Sequence, residues 1–416
     1  MSLQSTRHPE NLTPQVWTRR NLHRRAASAS VTVPLTNFDA DIAYTIPLSL
    51  GTPAKAFNMI IDTGSSITWV ASQTCTSPQC QRTKQFDCGP SSQVTCRAVN
   101  QSFKATFGSG DMLQGDFYQE LIGIGSLTLD GIMGLASVVT HKFQNNVDGV
   151  LGLRFTPGGV VSFPPLIRDS IEVLSRFRNT SSLSENKIGL WLRRADSIAT
   201  SVPGGEITFG GVNHRRFKGQ ITYLDTLPNT PWTVPIAGLT IGGTRINTTG
   251  VSGLIDSGTT VIIVPKNIAD AINGAIPGAV TTPENGLWFL PCDGNMDIRI
   301  TLGTFTVTIP YYDIAILSTS QKYRNTYYCQ SSIVFITKSQ ISLSEWTLGD
   351  SFLKNVYSVF DFGVQSNTST ATRIGFAHLS SPGGRLPYNT ANLMKTKPWW
   401  VHVAIAVALY GCYTLI

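Results

Sequence analysis

Two short stretches of this chain place a carboxylate where it could do chemistry. Ile60-Ile61-Asp62-Thr63-Gly64-Ser65-Ser66 recurs as Leu254-Ile255-Asp256-Ser257-Gly258-Thr259-Thr260. Each copy is an apolar pair, an aspartate, a hydroxyl residue, a glycine and two more hydroxyl residues. The apolar pair reads as the end of a buried strand, and the glycine lets the chain turn sharply with no Cβ in the way. The aspartate then emerges on a tight loop. If two halves of the chain are related by a pseudo-twofold axis, the loops meet and Asp62 and Asp256 become neighbours. Two adjacent carboxyls do not both ionise cheaply, so the pair holds one proton over an acidic window. That titration belongs to the pair rather than to either residue. One member then serves as general base towards a trapped water while the other protonates a carbonyl oxygen. The chemistry suits amide hydrolysis with no metal, no cofactor and no covalent intermediate. Ser65 and Thr259 are placed to donate to the outer carboxylate oxygens. Thr63 and Ser257 are placed to bond across to the opposite loop and fix the separation.

Such loops need strands to carry them, and the body reads as all-β. Ile42–Leu50, Phe57–Ile61, Ile67–Val70, Leu121–Leu129, Glu206–Phe209, Gln220–Leu224, Val261–Val264, Ile298–Ile309 and Val356–Phe362 are short segments rich in β-branched and aromatic residues. Gly, Pro, Asn and Asp punctuate them, as expected of strands. Only Ile268–Ile276 and Pro165–Leu174 hold a helical period well. A second element repeats about 90 residues after each Asp motif: Val150-Leu151-Gly152-Leu153, then Thr347-Leu348-Gly349-Asp350. The repeats predict two similar β-lobes with a cleft between them. We expect an N-terminal lobe over 26–215 and a C-terminal lobe over 216–380. Residues 1–25 read as a basic arm or propeptide remnant, 381–398 as a polar linker and 399–416 as a hydrophobic tail.

The chain has 416 residues, 42% hydrophobic and 14% charged, which excludes a mainly disordered protein. The formal net charge of +7 suggests nucleic-acid binding until it is located. Residues 1–25 hold five Arg and one Glu, and 385–416 hold Arg385, Lys395, Lys397 and no acid, leaving the body formally neutral. A nucleic-acid binder would carry its charge on the folded surface.

Among seven cysteines, Cys75 with Cys80 and Cys88 with Cys96 are short-range disulfide candidates, and Cys292 and Cys329 form the remaining distant pair of the body. Cys412 stands in the tail. No zinc-like spacing accompanies any of them, nor the six scattered histidines. Glycosylation sequons at Asn11, Asn100, Asn179, Asn247 and Asn367, with an even body cysteine count, favour a secretory route. Residues 1–25 show no apolar signal region, although Arg19-Arg20 and Arg24-Arg25 could be processing sites. Trp399 to Ile416 is an uncharged apolar run behind small residues and a polar spacer. That pattern fits a lipid-anchor attachment signal, with a membrane helix as the alternative. Either would place the protein on a membrane surface in the secretory pathway.

These motifs together resemble the pepsin-like aspartic proteases. Leu50-Gly51-Thr52-Pro53 followed by Ile61 to Val70 resembles the family's first active-site strand and loop, and Asp256-Ser257-Gly258-Thr259 the second. Asp148-Gly149-Val150-Leu151-Gly152-Leu153 and Trp346-Thr347-Leu348-Gly349-Asp350 resemble the elements beneath the two loops, and Gly204 to Gly211 the entry to the second lobe. Cys75/Cys80 and Cys292/Cys329 stand where the family has disulfides. Phe107-Gly108-Ser109-Gly110 resembles the tip of the hairpin flap that closes over substrate. The family usually has Tyr at the place of Phe107, bonded to the indole of a Trp at the position of Trp69. Phe107 keeps the apolar lid and loses that bond, worth on the order of 1 kcal/mol. The resemblance covers roughly residues 40–378 and implies a monomeric endopeptidase acting on polypeptides. The tail resembles that of fungal surface-anchored members called yapsins. A catalytically weak binding or inhibitor protein on the same scaffold is the alternative that Phe107 motivates. Asp111, just past the flap tip, could favour a basic substrate side chain, or be an ordinary solvated hairpin residue.

Overall fold

The computed structural model of the chain describes residues 29–381, apart from the segments 90–94, 107–110, 141–146, 157–170, 283–285, 324–325 and 336–344 and positions 198, 229, 364, 367, 368 and 371. The strand Lys55–Asp62 carries the first Asp motif, and Met59 to Asp62 are all buried. A continuous apolar run of this kind belongs to a strand covered on both faces. It pairs antiparallel with Ala43–Leu50 and parallel with Gly149–Gly152, placing Ile61 opposite Leu151 and Asp62 opposite Gly152. The far edge of Gly149–Gly152 takes Trp69–Ser72 antiparallel. The chain therefore leaves one strand, crosses over the end of an inserted strand and returns on its other side.

The second motif is built the same way. Ser252–Ile255 runs parallel to Glu345–Leu348, with Ile255 opposite Leu348, and Ile262–Ile263 lies antiparallel on the far edge. Each crossing demands a glycine. A Cβ on Gly152 would sit 2.7 Å from the Ser65 carbonyl oxygen, and one on Gly349 2.1 Å from that of Thr259. The four-residue repeat seen in the sequence is thus the inserted strand plus the glycine that lets the loop pass.

A 14-stranded sheet joins distant parts of the chain. In it Lys187–Leu192 and Ser201–Phe209 lie side by side, flanked by Val31–Phe38 on one edge and Val356–Asp361 on the other. Smaller sheets of five, four and four strands are made from the region between Thr233 and Leu348. The fold is all-β with few helices. Trp69, Trp232, Trp346 and Tyr44 are among the largest fully buried side chains.

Two segments read as single strands are hairpins instead. Leu121–Leu129 contains the turn between Met112–Ile124 and Leu127–Val139, with Gly125 at φ +58°. Ile298–Ile309 is Ile298–Leu302 and Phe305–Ile309 joined through Gly303 at φ +57°. In both, a glycine free to take positive φ reverses the chain inside an apolar run. The helix over Ile268–Ile276 is present as Lys266–Gly274. Most of Pro165–Leu174 lies outside the described residues, and the helix there, Val173–Thr180, begins where that expectation ends.

Candidate functional site

The two Asp loops interlock. Thr63 Oγ1 donates to the Ile255 carbonyl at 2.9 Å and Ser257 Oγ to the Ile61 carbonyl at 2.9 Å. The Ser257 amide donates to Thr63 Oγ1 at 3.0 Å and the Thr63 amide to Ser257 Oγ at 3.2 Å. Four bonds thus tie residues nearly two hundred positions apart. Around the carboxyls, Ser65 Oγ donates to Asp62 Oδ2 at 2.6 Å and Thr259 Oγ1 to Asp256 Oδ2 at 2.7 Å. The Gly64 amide serves both Asp62 Oδ1, at 2.9 Å, and Asp256 Oδ1, at 3.1 Å. The Gly258 amide donates to Asp256 Oδ1 at 2.9 Å. A Cβ on Gly64 would be 2.7 Å from Asp256 Oδ1, and one on Gly258 2.3 Å from Asp62 Cγ. Only glycine lets the two loops approach this closely.

Both carboxyls are almost wholly buried, Asp62 at 3% exposure and Asp256 at 0%. Burial pushes the Asp62 pKa well up, and the neighbouring Asp256 charge pushes it further against the bonds from Ser65 and Gly64. Burial also raises Asp256, where donation from Thr259, Gly258, Asp62 and Gly64 opposes it. Asp256 receives one more backbone donor than Asp62, which biases the charge towards Asp256 within a pair that shares one proton. The arrangement offers a buried base and a buried acid side by side.

Beneath the pair lies a carboxyl that the sequence motifs contained without assigning. Asp350 is buried, and burial holds its pKa well above the usual range; Lys354 opposes this while Asp256, Asp41 and Asp62 reinforce it. The Asp350 amide donates to the Thr259 carbonyl at 2.7 Å. On the first side, the Leu153 amide donates to the Asp62 carbonyl at 2.7 Å, and the Trp232 indole N–H to the Leu153 carbonyl at 3.0 Å. Asp148 accepts from the Asn58 and Lys84 amides and so braces the strand before the loop. Glu172 and Arg154, neither marked by a motif, also reach the first loop. Their only signal in the sequence is a charge inside an apolar context.

The other candidates fall in several places. Trp69 is buried at the head of the strand that returns from the first loop. Phe107, Gly108, Ser109 and Gly110 lie outside the described residues, between the strands Arg97–Thr106 and Met112–Ile124 that would form the flap. Asp111 is half-buried and accepts from Thr140 Oγ1 at 3.4 Å. Disulfides join Cys75 to Cys80, Cys88 to Cys96 and Cys292 to Cys329. Asn100 is exposed on a bulged strand, Asn179 on the last turn of the helix Val173–Thr180, and Asn247 in a turn where its Oδ1 accepts from the Thr249 amide at 3.0 Å. Asn11, Asn367 and the terminal tail lie outside the described residues. No described helix is long and apolar enough to cross a membrane.

Comparison with known proteins points the same way as this geometry. A family model described as eukaryotic aspartyl protease matches residues 43–378. The chain is 31% identical over 362 residues to a probable aspartic-type endopeptidase CTSD of Arthroderma benhamiae, covering 86% of this chain and 65% of that protein. It therefore spans somewhat under two thirds of that relative's length. It is 28% identical to the major aspartyl peptidase 1 of Cryptococcus neoformans var. grubii, over 90% of this chain and 76% of the relative. Cathepsin D of Dictyostelium discoideum is 29% identical, over 86% of this chain and 90% of its own.

Proposed function

This chain belongs to the eukaryotic aspartyl protease family, and from that premise we propose that it is an aspartic endopeptidase whose Asp62 and Asp256 activate a water against a peptide bond in acid. The Gly64 amide shared by both carboxyls carries this reading, because it fixes them around one small space. Asp256, as the ionised member, takes a proton from the water as its oxygen adds to the carbonyl carbon. Asp62 gives its proton to the carbonyl oxygen, leaving a neutral tetrahedral diol. The C–N bond then breaks while Asp256 returns its proton to the leaving nitrogen. A diol hydroxyl gives its proton to Asp62, restoring the pair. Ser65 and Thr259 hold the outer oxygens, and Thr63, Gly64, Ser257 and Gly258 keep the separation.

The test is cleavage of a mixed peptide library at acidic pH by the full chain and by Asp62→Asn and Asp256→Asn. Both variants should keep the fold and lose hydrolysis, and a statine-type analogue of the diol should block the parent. Cleavage surviving in both variants would end the proposal, whereas analogue binding without cleavage would leave a binding protein on the same scaffold.

The polypeptide class of substrate follows from the reaction. Phe107 to Gly110 as a closing flap over Trp69, and Asp111 as a contact for a basic side chain, complete the reading of the cleft. Lobes over 26–215 and 216–380, a monomeric state and a membrane-anchored tail over 399–416 belong to the same proposal. Three disulfides support passage through an oxidising, secretory compartment. Exposure of Asn100, Asn179 and Asn247 supports glycosylation there. Mass measurement of the mature C-terminus would distinguish a lipid anchor from a retained helix.

A further inference from the structure

Glu172 is a carboxyl with no exposed surface that the proposed reaction does not use. It sits just before the helix Val173–Thr180 and accepts hydrogen bonds from several directions. Ser66 Oγ donates to Oε1 at 3.1 Å and Thr156 Oγ1 to the same oxygen at 2.9 Å. The Thr156 amide donates to Oε2 at 3.0 Å and Ser175 Oγ at 3.3 Å. Ser66 directly follows Ser65, whose hydroxyl holds Asp62. Arg154 joins the same group: its amide donates to the Ser65 carbonyl at 3.0 Å, and Nη1 to the Gly64 carbonyl at 3.4 Å. Its charge acts on both Glu172 and the half-buried Glu345. The back of the first Asp loop is therefore gripped by one carboxyl and one guanidinium.

Resting on the endopeptidase reading, we propose that Glu172 is a positioning residue for the reaction. By holding Ser66 and Thr156 together, it fixes the loop from Gly64 to Ser66 and so aims Asp62 at the water. A buried carboxyl with four donors and a neighbouring guanidinium orders a loop well, because every donor it holds would otherwise be stranded. Small errors in aim cost much in rate.

The experiment uses the full chain and the variants Glu172→Ala, Glu172→Gln, Ser66→Ala and Glu172→Ala/Ser66→Ala, with Asp62→Asn as the inactive reference. It reads kcat and KM on one peptide, Kd for a statine-containing peptide by calorimetry, and folding by thermal melting. Glu172→Ala should lower kcat by about tenfold or more with KM changed by less than about twofold, since the loss falls on the transition state. Ser66→Ala should lower kcat in the same way, and the double variant should be no worse than the poorer single one. Glu172→Gln should stay within about threefold of the parent, because its amide oxygen in the place of Oε2 keeps the Thr156 amide and Ser175 hydroxyl as donors, while its NH2 in the place of Oε1 donates to the Ser66 and Thr156 hydroxyls, which turn to accept. A folded Glu172→Ala with unchanged kcat overturns the proposal, as do losses that multiply in the double variant. If Glu172→Ala does not fold, unchanged kcat in Ser66→Ala overturns it. If the parent binds the analogue without cleaving, the endopeptidase reading fails alone, and the analogue Kd decides: weaker in Ser66→Ala supports the positioning role, equal overturns it. A parent that neither cleaves nor binds overturns both.

Discussion

At the scale of single residues, burial decides how the carboxyl pair behaves. Asp62 and Asp256 have pKa values raised above those of an unfolded chain. A group raised on folding contributes stability that is complete below its unfolded pKa and is lost as pH rises through the folded value. The pair therefore favours the folded state in acid and weakens it towards neutrality. Asp62→Asn removes the titration from that site. Its melting temperature should fall less than the parent's between pH 4 and pH 7, a range chosen to bracket the ordinary carboxyl values. Equal slopes in a thermal scan series would contradict this account. The meeting of Asp62 with Asp256 was legible beforehand, because both stand in duplicated surroundings. Glu172, Arg154 and Asp350 were not, since their roles depend on neighbours that arrive from far along the chain.

At the scale of elements, the inserted strands and their glycines set the loops. Gly349 meets the backbone more tightly than Gly152, 2.1 Å against 2.7 Å for a would-be Cβ. Gly349→Ala should cost about 1–3 kcal/mol or more by overpacking, and more than Gly152→Ala, as read from denaturant midpoints. The reverse order would mean that the second crossing yields more easily than the first. Thr63→Ala strands the Ile255 carbonyl and the Ser257 amide. It should cost about 1–3 kcal/mol in the same measurement and lower kcat, because the loops are no longer bolted together. The strand pattern itself was readable from apolar runs. Where it misled, at Leu121–Leu129 and Ile298–Ile309, Gly125 and Gly303 sit inside apolar text and only the positive φ reveals a turn. The crossings of Gly152 and Gly349 left a visible repeat, although its purpose emerges only when the strands are laid side by side.

At the scale of the whole molecule, a buried ionic network ties the start of the chain to its later half. Arg194 Nη2 donates to Asp313 Oδ2 at 2.7 Å, Lys354 Nζ approaches Asp313 Oδ1 at 3.2 Å, and Lys354 donates to Asp41 Oδ2 at 2.9 Å. Asn355 completes the group by accepting from Arg194. Burial works to raise the Asp313 pKa, but Lys354 and Arg194 outweigh it and hold the carboxyl below its usual range. Stability from this network is present above the ordinary aspartate pKa and disappears as pH falls through the lowered value. Arg194→Ala leaves Asp313 buried with less compensation. It should cost about 3–5 kcal/mol in urea and move acid unfolding to higher pH. An unchanged acid midpoint would show that the network is not what limits the folded state in strong acid. Its existence was invisible in the sequence, because Asp41, Arg194, Asp313 and Lys354 share no motif and meet only through tertiary packing.

The hydroxyls of Thr63 and Ser257, each docked on a carbonyl of the opposite loop, act like a mortise joint between the two Asp loops. A joint of that kind makes the reacting centre independent of the rim. If the endopeptidase proposal holds, surface turns around the pair could be exchanged with those of other proteins to change which peptides are cleaved, while the spacing of the two acids stayed as it is.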